Sequence, residues 1–213
     1  MYNLPYYKEN DEELVKQFVR EHPFAFLAGS DAENKPVATQ VPVFIDELEG
    51  KLFLTGHIMR NTDHHKAFEQ NPNVLAVFTG PHTYVSATWY TKRVGSTWNY
   101  MSVHAKGTIR FGDSNELISI LKRLSLHYEN YNTASTTVFD NLPAEYTERM
   151  MKAIVAFEIE VTSMEHVFKL SQDRDEKSYD NIIVELKKQG GDAKEIAELM
   201  EKRKEKVFGS KSM

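Results

Sequence analysis

Phe24-Ala-Phe-Leu-Ala28 is followed by the turn-rich Gly29-Ser-Asp-Ala-Glu-Asn-Lys-Pro36, by the β-branched run Val37–Ile45, by Asp46-Glu-Leu-Glu-Gly50 and by Lys51-Leu-Phe-Leu-Thr55. Apolar runs of strand length bounded by Gly, Asn, Asp and Pro clusters read as consecutive strands joined by short turns, because those turn residues supply the backbone angles a reversal needs. Three such runs in succession predict an antiparallel meander, with Pro42 marking an edge or a bulge since it has no N–H to donate to a ladder. Gly56 is expected to break the third strand.

Working outward, Asn10 or Asp11 caps a helix starting at Glu12, with Leu14, Val15 and Phe18 on its apolar face and Pro23 beyond its end. Downstream, Asn61–Glu69 reads as a short helix capped by Asn61 or Thr62, Val74–Thr79 as a fourth strand, and Pro81 as a turn. Tyr84–Tyr90 reads as a fifth strand, Thr91–Ser96 as a basic loop and Trp98–Phe111 as a sixth strand bent near Gly107. Asp113 or Ser114 caps a helix over about 115–130, with Leu117, Ile120, Leu121, Leu124 and Tyr128 on one side. Pro143–Ile154 is helical and Val155–Met164 is a long strand. Ser178–Val207 is a charged helical tail interrupted at Gly190-Gly191. Consecutive strands with helices added favour an α+β chain, mainly β, built on an antiparallel barrel rather than a parallel doubly wound sheet.

Composition narrows the chemistry. The 213 residues suit one domain with a modest extension, and 41% hydrophobic residues allow a sizeable core. The absence of cysteine excludes disulfides, thiolate metal sites and a cysteine nucleophile, and it fits a reducing cytoplasm. No apolar run approaches the roughly 18–20 residues needed to span a bilayer, and no secretory signal is read at Met1–Asn10. A formal net charge of −5 weighs against nonspecific DNA binding by the chain as a whole. There is no Gly-rich dinucleotide fingerprint, no Walker A loop and no G-x-S-x-G elbow.

Two segments carry candidate chemistry. Thr55-Gly-His-Ile-Met-Arg-Asn-Thr62 stands where a strand passes into a helix. Free N–H groups at a helix start, with Arg60 and His57 close by and Lys66 one turn on, make a phosphate cradle. The alternative is an ordinary capped helix with solvated charges. In Thr97-Trp-Asn-Tyr-Met-Ser-Val-His104, Trp98 and Tyr100 share one strand face and Asn99, Met101 and Val103 the other. Such aromatics stack on a flavin or base, or fill a core or an interface. His64-His65 invites a metal, but neighbours on a helix point apart, and no metal is assigned.

Arg20-Glu-His-Pro-Phe24, Thr39-Gln-Val-Pro-Val43, Gly56-His57 with Arg60-Asn61, and Val74-Leu-Ala-Val-Phe78 with Gly80-Pro81 occur in order. They are followed by Tyr84-Val-Ser-Ala-Thr-Trp-Tyr90, Thr97-Trp-Asn-Tyr100, Val103-His-Ala-Lys-Gly107, Glu148–Ile154 and Lys169-Leu-Ser-Gln172. Together these segments resemble the PaiB-type FMN-binding negative transcriptional regulators. The resemblance implies an antiparallel split β-barrel of the FMN-binding type over residues 1–177, a helical extension over 178–213, and a cytoplasmic homodimer with FMN at the subunit interface. It implies Gly56, His57, Arg60 and Asn61 at the phosphate, with Lys66 a weaker addition, and Thr39, Gln40, Val41 and Pro42 along the ring. Thr97, Trp98 and Asn99 are expected from the facing subunit. The family name implies repression of transcription through DNA or a regulatory protein partner. The alternative is a flavin-dependent oxidoreductase, an FMN reductase or a pyridoxamine-phosphate-oxidase-like enzyme using NAD(P)H, with His57 as the acid to test and the catalytic residues otherwise unassigned.

Overall fold

The computed structural model describes residues 1–209. Its elements are α1 (Glu12–Glu21), β1 (Phe24–Ser30), β2 (Pro36–Pro42), β3 (Phe44–Leu48), β4 (Lys51–Met59), α2 (Asp63–Gln70), β5 (Asn73–Val85) and β6 (Thr97–Phe111). They continue with α3 (Ser114–Tyr128), α4 (Ala144–Ala153), β7 (Ile154–Lys169), α5 (Glu176–Lys187) and α6 (Gly191–Phe208). The chain forms two compact units. One comprises Val19–Phe78 and His104–Met164; the other comprises Met1–Phe18, Thr79–Val103 and the chain from Glu165 onward. No described helix is long and apolar enough to cross a membrane.

The sheet is antiparallel, in the order β2-β1-β5-β6-β7-β4-β3. This bears out the split-barrel class and corrects the meander. The hairpins β1–β2 and β3–β4 are adjacent in sequence, yet β2 and β3 are opposite edges of the sheet. The run expected as one strand over Val37–Ile45 divides after Pro42, and the Val43 N–H leaves both ladders to donate to the Pro23 carbonyl at 2.9 Å. The sheet curls so that the far edge returns: a Cβ placed on Gly56 would lie 2.9 Å from the Pro42 oxygen and 2.8 Å from the Phe157 ring. Gly56 therefore does not break β4. It sits inside the strand because only a residue without a side chain fits between Phe157 and the returning edge.

Two further expectations change. Pro81 does not turn the chain; β5 runs through it to Val85. Beyond Val85 the expected strand is a short 3-10 turn at Ala87–Trp89, where the Ser86 hydroxyl accepts the Thr88 N–H at 3.3 Å. The cap of α3 is Asp113, in a reciprocal box: its carboxylate accepts from Glu116 N at 3.0 Å, and Glu116 Oε2 accepts from Asp113 N at 2.8 Å. Such a box is worth about 1 kcal/mol.

Within the first unit the concave side of the sheet is filled by Leu27, Leu54, Phe78, Phe157 and Ile159, each at most 1% exposed. Burial of side chains of this size stabilises by about 1.5–3 kcal/mol apiece. On the other side Leu117 and Leu121 of α3 pack with Ile154 and Ala156 of β7. Gly107 of β6 is the most closely packed of the described glycines: a Cβ there would stand 2.4 Å from the Glu160 oxygen. In the second unit Tyr179, Ile182, Leu186, Ile196 and Met200 join α5 to α6, with the Tyr179 hydroxyl donating to the Met200 carbonyl at 2.9 Å.

Candidate functional site

The β4–α2 corner is built by its backbone. Arg60 N donates to the Ala153 carbonyl at 2.8 Å and Asn61 turns the chain with φ of 62°, a left-handed conformation that Asn tolerates well. Thr62 then caps α2, its hydroxyl accepting from His65 N at 3.3 Å and donating to the Met59 carbonyl at 3.1 Å. The N–H groups of Asn61 and Thr62 are left without an acceptor among the described residues. Arg60 is exposed, and its Nε donates to the Ile154 carbonyl at 2.9 Å. That single bond fixes the guanidinium plane and leaves both terminal nitrogens open. Lys66 is exposed one turn along α2.

Two histidines border this corner. His57 is half-buried on β4, paired in register with Ala156, and its Nδ1 is buried with no hydrogen-bond partner. Burial holds its pKa below the usual range. His65 is buried against the Phe111 ring, centroids 4.7 Å apart, with neither ring nitrogen hydrogen-bonded. Burial lowers its pKa too, with the Glu69 carboxylate opposing and the Arg60 charge adding to the effect. Burial disfavours charge on both rings, so the cationic charge of the corner rests chiefly on Arg60 and Lys66.

The β2 residues divide by parity. Val41 is buried and offers a ligand only its backbone, while Thr39, opposite buried Leu27 in the register, is half-buried. Gln40 and Pro42 pair with Phe26 and Phe24 on the other face. There Phe24 is 61% exposed and Phe26 44%, an uncovered apolar floor continued by Val77 and Leu75 of β5. Sequence reading missed this floor, because Phe24 and Phe26 look like core residues until the register shows which face the sheet leaves open. A cleft of about 200 Å³ was also invisible, since its lining comes from four separate segments. Arg123 makes a two-pronged pair with Asp46 at 2.6 and 2.8 Å, and Arg110 meets Glu116 and Glu158, each at 2.8 Å. Its arginines are paired, so this cleft reads as the tie between α3 and the sheet.

In the second unit, Thr97 accepts from Lys169 Nζ at 2.5 Å. Trp98 is 53% exposed, with Tyr84 edge-on at 6.1 Å. Asn99 is fully buried, donating to Met200 Sδ at 3.5 Å and accepting from Ser171 Oγ at 3.0 Å. Of the three, Trp98 alone offers free side-chain surface.

Residues 1–163 match a family profile described as "Putative FMN-binding domain". The chain is 33% identical over 207 residues, 97% of its length and 99% of the relative's, to the protease synthase and sporulation protein PAI 2 of Bacillus subtilis. Among solved structures, a conserved hypothetical protein, Rv2991 of Mycobacterium tuberculosis, aligns with a TM-score of 0.56 at 13% identity, covering 79% of this chain and 90% of that one. An FAD and heme binding protein of Mycobacterium smegmatis aligns with a TM-score of 0.50 at 14% identity, covering 76% and 72%. At such identities these two report on fold alone. The family profile spans most of the chain and the relative is matched over its full length: this protein belongs to the family described as a putative FMN-binding domain.

Proposed function

We propose that the protein is a cytoplasmic homodimer that binds FMN and acts as a PaiB-like negative regulator of transcription. The observation that carries the cofactor reading is the β4–α2 corner: two unpaired N–H groups, at Asn61 and Thr62, beside an Arg60 anchored by Nε with its other nitrogens open. Donors in this arrangement suit a phosphate monoester. Gly56 and His57 line the approach, and Lys66 adds charge. The ring lies along Thr39–Pro42, where Gln40 and Pro42 stand beside the apolar floor of Phe24 and Phe26. That floor, too apolar to remain bare, supports the homodimer. Trp98 of the facing subunit closes over the ring, with Thr97 and Asn99 holding its strand. Residues 1–177 form the flavin-binding domain and 178–213 its helical extension.

A flavin-dependent oxidoreductase is the second reading, favoured by His57, a half-buried imidazole whose Nδ1 has no hydrogen-bond partner among the described residues, as the group to carry a proton. Bound flavin supplies hydride or electron transfer; the chain supplies orientation and that proton. Titration with FMN and riboflavin side by side tests the cofactor. FMN binding at micromolar or tighter affinity, with riboflavin much weaker, is expected, and equal or absent binding removes the phosphate site. Retention on operator DNA that falls as salt rises supports the regulator, whereas steady NAD(P)H turnover without DNA retention supports the enzyme.

A further inference from the structure

A second group of polar residues lies wholly within the other unit and shares only Thr97 with the flavin proposal. Lys169, at the end of β7, has one hydrogen-bond partner among the described residues, the neutral Thr97 hydroxyl. The rings of Tyr2 and Tyr7 each lie 5.8 Å from its Nζ. Five residues on, the Arg174 guanidinium is stacked 4.8 Å from the centre of the Tyr90 ring. Among the described residues its Nε and the Tyr90 hydroxyl, both buried, meet no partner at hydrogen-bond geometry, and Arg174 acts on the hydroxyl through its charge. Two orphaned polar atoms on stacked neighbours call for an explanation, because each costs about 1–3 kcal/mol when left unsatisfied.

The missing partner has a definite character. An arginine Nε–H only donates, so what is absent is an acceptor. The nearest carboxylate to Arg174, Asp173, approaches no closer than 3.7 Å, beyond hydrogen-bond range. Asp175 is already engaged by Ser178 N, Ser178 Oγ and Thr91 Oγ1, at 3.0, 2.7 and 2.8 Å. Two cations thus face one carboxylate, Asp173, which the Tyr7 hydroxyl also engages. Burial lowers the Lys169 pKa, with Asp173 pulling the other way and Arg174 adding to the fall.

We propose that Lys169, Arg174 and Tyr90 form a binding site for a small oxyanion, a carboxylate or a phosphate monoester, with Thr97 and Tyr7 at its rim. The anion accepts from Arg174 Nε and the Tyr90 hydroxyl and neutralises Lys169.

The full-length protein is titrated with inorganic phosphate and, in parallel, with acetate, at ionic strength held constant by chloride, reading the melting temperature and the heat of binding. A saturable response to at least one anion is expected, and which anion gives it names the class. Lys169→Gln and Arg174→Gln should each weaken it by about tenfold or more. Tyr90→Phe separates binding from folding: in chloride it should be at least as stable as wild type, because it deletes an unpaired buried hydroxyl, yet bind the anion several-fold more weakly. Should Arg174→Gln fail to fold, Lys169→Gln and Tyr90→Phe decide. In Arg60→Ala, which removes the phosphate corner, a saturable response that Lys169→Gln and Tyr90→Phe weaken should remain, so the outcome is separable from the flavin site. No saturable response in wild type, a response unaltered in Tyr90→Phe and Lys169→Gln, or a response abolished by Arg60→Ala overturns the assignment.

Discussion

Arg203 and Arg60 show two uses of the same side chain. Arg203 and Lys206 of α6 close on Glu9, whose side chain is fully buried; Lys206 Nζ is 2.6 Å from Oε1, and Arg203 bonds Oε2. Burial pushes the Glu9 carboxyl up, but Lys206, the Asp11 N–H and Arg203 outweigh it and hold the pKa down at about 2. Here the carboxylate is closed by its cations. At the β4–α2 corner Arg60 makes one bond, to a neutral carbonyl, and stands beside two unpaired N–H groups. A charge that is satisfied holds the frame; one held in place but left open is available to a ligand. The sharpest tests are those in which the two regions respond oppositely.

The largest effect belongs to the frame. Gly107→Val drives a side chain into the Glu160 backbone, and should cost about 3 kcal/mol or more in folding stability, read by chemical denaturation. A variant as stable as wild type would show that β6 and β7 can part without penalty. Next is Glu9→Gln, which strips the clamp of its charge. Breaking a pair buried on one side should cost roughly 3 kcal/mol while leaving flavin affinity unchanged. The same carboxylate sets acid sensitivity. Its folded pKa lies below its unfolded value of 4.5, so its contribution is complete above pH 4.5 and is lost as pH falls toward 2. Glu9→Gln should flatten the stability profile in that window.

Arg60→Ala is the mirror image. Loss of charge-assisted bonds to phosphate should weaken FMN by about 1.5–3 kcal/mol, with the melting midpoint nearly unmoved. The smallest effect is that of His57. Its folded pKa is depressed, so the unfolded chain binds the proton more readily, and stability falls as pH drops below 6.5. His57→Gln should reduce that slope, measured by denaturation between pH 7 and pH 5.

The sequence made the split barrel legible through its turn chemistry and through ordered motifs from Arg20 to Gln172. It also narrowed the α2 cap to Asn61 or Thr62 and the α3 cap to Asp113 or Ser114, of which the structure uses Thr62 and Asp113, since capping is local chemistry. What it hid was long-range. Pro42 looked like an edge or a bulge; it ends an edge strand, at the point where the chain passes from one sheet edge to the other. Gly56 looked like a strand breaker and is the residue over which those edges meet. Pro81 looked like a turn and is borne within β5. In each case local propensity yields to a partner far away in the chain. At the candidate site, residue types were readable but side-chain direction was not: only the β1–β2 register separates Gln40 and Pro42 from Thr39 and Val41. The Tyr90–Arg174 stack joins residues far apart in sequence and left no local signature.

The most direct test of the central claim, that the β4–α2 corner recognises the flavin phosphate, is the ratio of FMN to riboflavin affinity in wild type and in Arg60→Ala. The account predicts a strong preference for FMN in wild type, about tenfold or more, that collapses toward unity in the variant while riboflavin affinity stays the same. A preference that survives intact in Arg60→Ala would contradict it and move the phosphate elsewhere.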